Sequence, residues 1–158
     1  MVSPSVYSNV PGRGSRAIGP SSYYSKSYNA DVGAVRISDS GYWAQAGLPP
    51  ESVLWAIPGA QNYLTYSAPS SYIGELESRV GVANAESFGV VTARGKCITG
   101  TCFLAQSTAQ SAPGDSGGPF IDNHAMLGTE VGGGDGFSYY DESPNIQKFL
   151  PVRIALAG

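Results

Sequence analysis

Charge is scarce in this chain. Only 13% of its 158 residues are Asp, Glu, Lys or Arg, about half the share of about 25% usual in soluble domains. Twelve acidic residues against nine basic ones leave a net charge of −3, and no basic block interrupts the sequence. Nothing is therefore laid out to neutralise a phosphate backbone, and nucleic acid is not an expected partner. No apolar run approaches the roughly 18 residues that a membrane-crossing helix needs, so no membrane partner is expected either. Met1-Val2-Ser3-Pro4-Ser5 lacks the basic cluster and apolar stretch of a secretory signal. Either the chain is made inside the cell, or its true beginning lies upstream of Met1. With two cysteines and one histidine, soft ligands are too few for a structural zinc site. No phosphate loop or cofactor motif is present, and neither metal nor cofactor is expected. Cys97 and Cys102 are five apart, the wrong spacing for a redox Cys-x-x-Cys pair. They read as two buried thiols or as a small disulfide across a hairpin, the latter contributing roughly 2 kcal/mol for so short a loop.

What fills the space left by charge is Gly (21), Pro (11), Tyr (10) and serine-rich turns, the composition of an all-β protein with many short strands. Residues 1–30 are polar and turn-rich and predict loops with one edge strand. Residues 31–37 form the first convincing strand. Residues 38–51 hold Gly41, Gly47, Pro49 and Pro50 and read as a connector. Short β-like runs follow at 52–57, 63–66, 73–79, 88–93, 97–104, 120–121, 125–129 and 137–140, at the spacing of a barrel or sandwich. The period then changes. Ile146, Phe149, Leu150, Ile154 and Leu156 fall roughly on one side of a C-terminal helix over 145–157, and the part from Pro151 onward is the expected helical core.

The most informative string is Pro113-Gly114-Asp115-Ser116-Gly117-Gly118-Pro119-Phe120. A serine nucleophile needs an exposed hydroxyl and nearby N–H donors for the oxyanion. Glycines on both sides of Ser116 let the backbone turn sharply, and the N–H groups of Gly114 and Ser116 would be the two donors. The same string fits the Gly-x-Ser-x-Gly elbow of α/β-hydrolases. That elbow requires a helix after the serine and then a late acid and histidine, whereas here a strand-like Phe120-Ile121 follows.

This string resembles the serine signature of the chymotrypsin family, and further segments are similar to its bacterial, streptogrisin-like branch. Asp31 and the strand after it resemble the segment bearing the triad aspartate. Residues 73–81 and 88–93 resemble the early hairpin of the second barrel, residues 127–134 the wall of the primary specificity pocket, and residues 149–156 the closing helix. The resemblance spans about residues 31–158 in the family's order. It implies a chymotrypsin-like β-barrel fold with a C-terminal helix. Residues 1–47 would be a partial first barrel carrying Asp31, and residues 48–158 a complete second barrel. It implies a secreted bacterial serine endopeptidase acting through an acyl-enzyme on peptide or protein substrates. Catalytic roles would fall to Ser116 and Asp31, and oxyanion binding to Gly114 and Ser116. Gln110, Pro113, Val131, Gly132 and Gly133 would line the substrate pocket, and Asp115 would brace the loop rather than join the triad.

The departures carry equal weight. Disulfides frequent in this branch would fall at Ser78 with Phe88 and at Gln110, so the usual framework is not expected; Cys97 and Cys102 are the structural alternative. His124 is the single histidine. It follows Ser116 by eight residues, where the family's base precedes the aspartate, and reads as a surface or strand-end residue. The expected base would lie just upstream of Met1 or on a second chain. The competing reading is a non-catalytic homologue that binds peptides at most. A partial barrel left with open edges would make the chain poorly soluble or oligomeric. For the pocket, entrance glycines suggest an apolar or aromatic residue before the cleaved bond, while Glu130 and Asp135 could reverse the sign and favour a basic one.

Overall fold

The computed structural model describes residues 5–10, 14–35, 53–54, 62–63, 66–67, 70–81, 83–122 and 125–150. The chain opens on an antiparallel meander of β1 (Ser5–Val10), β2 (Gly14–Ser27) and β3 (Ala30–Val35). This corrects the assignment of residues 1–30 mainly to loops. The reason lies in how β2 is shared. Its first half, Gly14 to Pro20, pairs with β1, and its second half, Ser21 to Ser27, pairs with β3. Pro20, which reads as a turn former, stands where the ladder passes from one neighbour to the other, a place where a missing N–H is tolerated.

Two short strands, β4 (Val53–Leu54) and β5 (Asn62–Tyr63), pair with each other. The boundary expected at residues 47 and 48 lies outside the described residues. β6 (Tyr66–Ser67) leads into six longer strands: β7 (Leu76–Gly81), β8 (Ala85–Ile98), β9 (Thr101–Ser107), β10 (Pro119–Asp122), β11 (Ala125–Gly134) and β12 (Phe137–Glu142). These six run antiparallel in the order β10-β7-β8-β9-β12-β11, and β10 also pairs with β11. The ring is thus a closed six-stranded barrel, which leaves no open edge among these strands. β6 adds to it in parallel beside Ala125 and Met126.

The run expected at 97–104 is two strands, not one. Thr99 (φ 47°) and Gly100 (φ 88°) turn the chain between β8 and β9. Two consecutive left-handed residues match the twist of a tight hairpin. A disulfide joins Cys97 and Cys102 on either side of this turn. Ser78 and Phe88 stand directly opposite each other on β7 and β8. The register brings these two positions together, but neither residue is a cysteine.

Phe120 and Tyr140 stack at 4.2 Å between ring centres, packed with Ala105, Ala109, Ala125 and Leu127. Small side chains around two rings fill the narrow interior of a six-stranded barrel. A second cluster joins Ala30 and Val32 of β3 to Ile146, Phe149 and Leu150 at the chain's C-terminal end. The helix there, α1, is Ser143–Phe149. It overlaps the start of the helix expected over 145–157 and begins two residues earlier. Pro144 fits the first turn, where its missing N–H costs nothing. Leu150 is already extended (φ −117°, ψ 140°), because the ring of Pro151 disfavours a helical residue before it. Residues 151–157 lie outside the described residues.

The barrel interior is unusually polar. The Tyr140 hydroxyl donates to Oε2 of Glu77 (2.9 Å) and is 2.7 Å from the hydroxyl of Ser71. The Ser71 N–H donates to Glu142 Oε1 (2.7 Å), and Arg94 pairs with Glu142 Oε2 (2.9 Å). Burial pushes the Glu77 carboxyl up to about 7, against the pull of the Ser107 and Tyr140 hydroxyls. The same burial holds the Tyr140 phenol neutral.

Candidate active site

Ser116 is exposed on the loop between β9 and β10. Gly114 (φ 106°) and Gly117 (φ 90°) flank it, and only glycine adopts such angles without strain. Gly118 is small for a different reason: a Cβ there would lie 2.1 Å from the Val80 carbonyl oxygen. The Asp115 N–H is turned back onto the Ala112 carbonyl (3.0 Å), and the Gly118 N–H onto the Asp115 carbonyl (2.9 Å). Among the described residues the N–H groups of Gly114 and Ser116 are taken by no hydrogen bond. Two free donors, on Gly114 and on Ser116 itself, thus lie in the loop that carries the serine hydroxyl, and oxyanion stabilisation uses donors of this kind.

The loop is braced from beneath. Asp115 is fully buried. Its Oδ1 accepts the N–H groups of Ala83 (2.7 Å) and Asn84 (3.3 Å), and its Oδ2 accepts that of Ala112 (3.0 Å). Arg79 Nη2, equally buried, lies 3.1 Å from Oδ2. Burial opposes the charge on Asp115, but these backbone donors and Arg79 hold its carboxyl below the ordinary carboxylate range. Such a buried charge is tolerable only because it is so fully partnered.

Strand β11 forms the opposite wall. The Gly117 N–H donates to the Glu130 carbonyl and the Glu130 N–H to the Gly118 carbonyl, both at 2.8 Å. This register sets Val131 beside Ser116, whose hydroxyl donates weakly to the Val131 carbonyl at 3.4 Å. That is the one hydrogen bond of the hydroxyl among the described residues, and no basic side chain takes part in it. Gly133 faces Ser111: a Cβ on Gly133 would lie 2.8 Å from the Ser111 side chain. Gln110 presents its side chain to solvent, while its carbonyl accepts from Arg79 Nε (2.8 Å) and its N–H donates to Ser87 Oγ (2.8 Å). Pro113 is exposed and Gly132 half-buried between these walls.

Asp31 sits on β3 opposite Lys26 and is half-buried. Its N–H lies beside the buried carboxylate of Asp141, which burial pushes up and which Asn145 holds through a 2.6 Å hydrogen bond. β3 packs on β9, β11, β12 and α1. The structure therefore ties Asp31 to the barrel without a bond to Ser116. His124 lies outside the described residues.

Arg79, beneath the loop, was not singled out in the sequence as a site residue; its signal, a lone cation inside a β-like run, is weak. Glu130, read in the sequence as a residue that could reverse the pocket's sign, lies beside it. It is buried, accepts a hydrogen bond from Ser111 Oγ at Oε1, and places Oε2 3.5 Å from Arg79 Nε. Burial raises its carboxyl against the pull of Ser111 and Arg79.

No protein-family model matches the sequence, and no curated protein does so. The fold is similar to solved bacterial serine proteases. A chymotrypsin of Cellulomonas bogoriensis superposes with a TM-score of 0.73 at 21% identity, over 88% of this chain and 76% of that one. A glutamic-acid-specific serine protease, which uses a histidine triad in substrate binding, gives 0.72 at 22% identity over 85% and 72%. The Nocardiopsis protease gives 0.70 at 21% identity over 87% and 73%. The chain has the chymotrypsin-like β-barrel fold.

Proposed function

We propose that this chain carries the nucleophile of a secreted serine endopeptidase of chymotrypsin type, and that its general base is supplied from outside these 158 residues. The observation that carries the reading is the loop itself. An exposed Ser116 shares its loop with two free N–H donors, its own and that of Gly114, on a turn fixed by the buried Asp115–Arg79 pair. Acyl transfer needs little else from the nucleophile's side: attack on the carbonyl, and two donors for the oxygen on which charge develops. Asp31 would orient an imidazole placed between it and Ser116.

The contact of Ser116 with only a carbonyl oxygen favours a second reading, a homologue that binds peptides without cleaving them. A serine with no base keeps only what the oxyanion hole and binding provide, about 10³–10⁴ over water. Fluorophosphonate labelling, with Ser116→Ala as control and mass spectrometry to locate the adduct, tests the assignment. Slow labelling confined to Ser116 supports it. Labelling that survives Ser116→Ala refutes it.

A further inference from the structure

We infer that Glu130 sets the sign of the primary specificity pocket, and that the pocket takes a cationic side chain, lysine or arginine, before the scissile bond. The inference rests on the reading of Ser116 as the nucleophile and names the substrate class of that site.

Placement comes first. Glu130 is bonded through its backbone to Gly117 and Gly118, the two residues after the nucleophile. Its side chain lies under the loop that leads to Ser116, against Ser111, and Ser111 in turn stands close to Gly133 of the opposite wall. A group entering between these walls meets Ser111 and Glu130.

Charge comes second. Arg79 serves two buried carboxylates, Asp115 and Glu130. One positive group against two negative ones leaves the cluster one negative charge in excess. Asp115 is satisfied by three backbone N–H groups besides Arg79. Glu130 is not: its Oε2 is buried and makes no hydrogen bond. Arg79 stands beside it as an ion pair, Nε 3.5 Å from Oε2, but that Nε donates its hydrogen bond to the Gln110 carbonyl and not to Glu130. A buried carboxylate oxygen left in this state gains most from a charged donor.

Shape comes third. A Cβ on Gly133 would clash with the Ser111 side chain, so the two walls stand close here, and a thin methylene chain passes between them with less displacement than a ring. Gly132, Gly133 and Gly134 along the β11 wall give that wall the freedom to yield.

The test needs neither a base nor a reactive serine. N-acetylated tripeptides ending in lysine, norleucine, phenylalanine or glutamate, as free acids, are titrated into the folded chain and followed by NMR. Lysine and norleucine differ in the charge and not in the stem. The expected result is lysine binding at least about tenfold tighter than norleucine and the other two. With Glu130→Gln the lysine preference falls to within about twofold. Because that substitution also touches Arg79, the lysine–norleucine comparison in the unaltered chain decides by itself. Equal binding of the two, or tighter binding of norleucine, phenylalanine or glutamate, overturns the inference. If Ser116 is nevertheless labelled by fluorophosphonate, only the pocket assignment has failed. If no peptide binds and Ser116 is not labelled, both readings fall together.

Discussion

Replacing Glu77 with Gln should stabilise the protein at pH 8 and leave it nearly unchanged at pH 4.5. Glu77 is 4% exposed, on β7 inside the barrel, with the Tyr140 hydroxyl on one oxygen. Its carboxyl sits at about 7 in the folded chain against an ordinary value of 4.5, and burial is the dominant cause. The folded state therefore keeps this proton when the unfolded chain has lost it. Below pH 4.5 both states are protonated and the group contributes no penalty. As pH rises from 4.5 to about 7 the unfolded chain ionises first, and stability falls. Above about 7 the loss is complete, at about 3 kcal/mol. Gln keeps the acceptor for Tyr140 and cannot ionise, so it removes the slope. Thermal unfolding of both proteins at pH 4.5 and pH 8 measures the difference directly. Other titrating groups cancel in that comparison. A gain of roughly 6–12 °C for the variant at pH 8, and little at pH 4.5, is expected for a chain of this size. A variant equally destabilised at both pH values would refute the reasoning, because Glu77 would then be an ionised acceptor that the fold needs.

Other outcomes follow from the same geometry. Arg79→Leu leaves Asp115 and Glu130 buried without their cation and should cost about 3–5 kcal/mol by urea unfolding, with slower labelling of Ser116. Gly118→Ala forces a methyl group against the Val80 carbonyl oxygen and should cost more than about 1 kcal/mol in the same assay; an unchanged midpoint would show that the loop can shift. Reducing Cys97–Cys102 opens only a small loop and should lower stability by about 2 kcal/mol without loss of the barrel by circular dichroism.

The all-β class, the glycine turn around Ser116 and the hairpins of the six-stranded barrel are legible in the sequence because each rests on a local signal. Glycines at 114 and 117 answer to positive φ, and short apolar runs answer to strands that alternate inward and outward. β1 and β2 were not legible, because their strands are fixed by pairing on both sides of β2, not by their own propensity. The C-terminal helix is legible from its apolar spacing, and Leu150, extended just before Pro151, bounds its described part because a proline disfavours a helical residue before it. The ion pair beneath the site was the hardest to see. Arg79, Asp115 and Glu130 are 36 and 15 residues apart in the chain, and only barrel closure through β7, β10 and β11 brings them together.

A Ser116 loop that lacks only a base should be acylated slowly by p-nitrophenyl acetate at neutral pH, read by intact mass and peptide mapping with and without added imidazole. The expected result is slow acetylation at Ser116 that quickens as imidazole is added, and none in Ser116→Ala. Rapid acetylation of Ser116 without imidazole would contradict it, since a base would then already stand within reach; so would an acetyl group that forms elsewhere and never on Ser116.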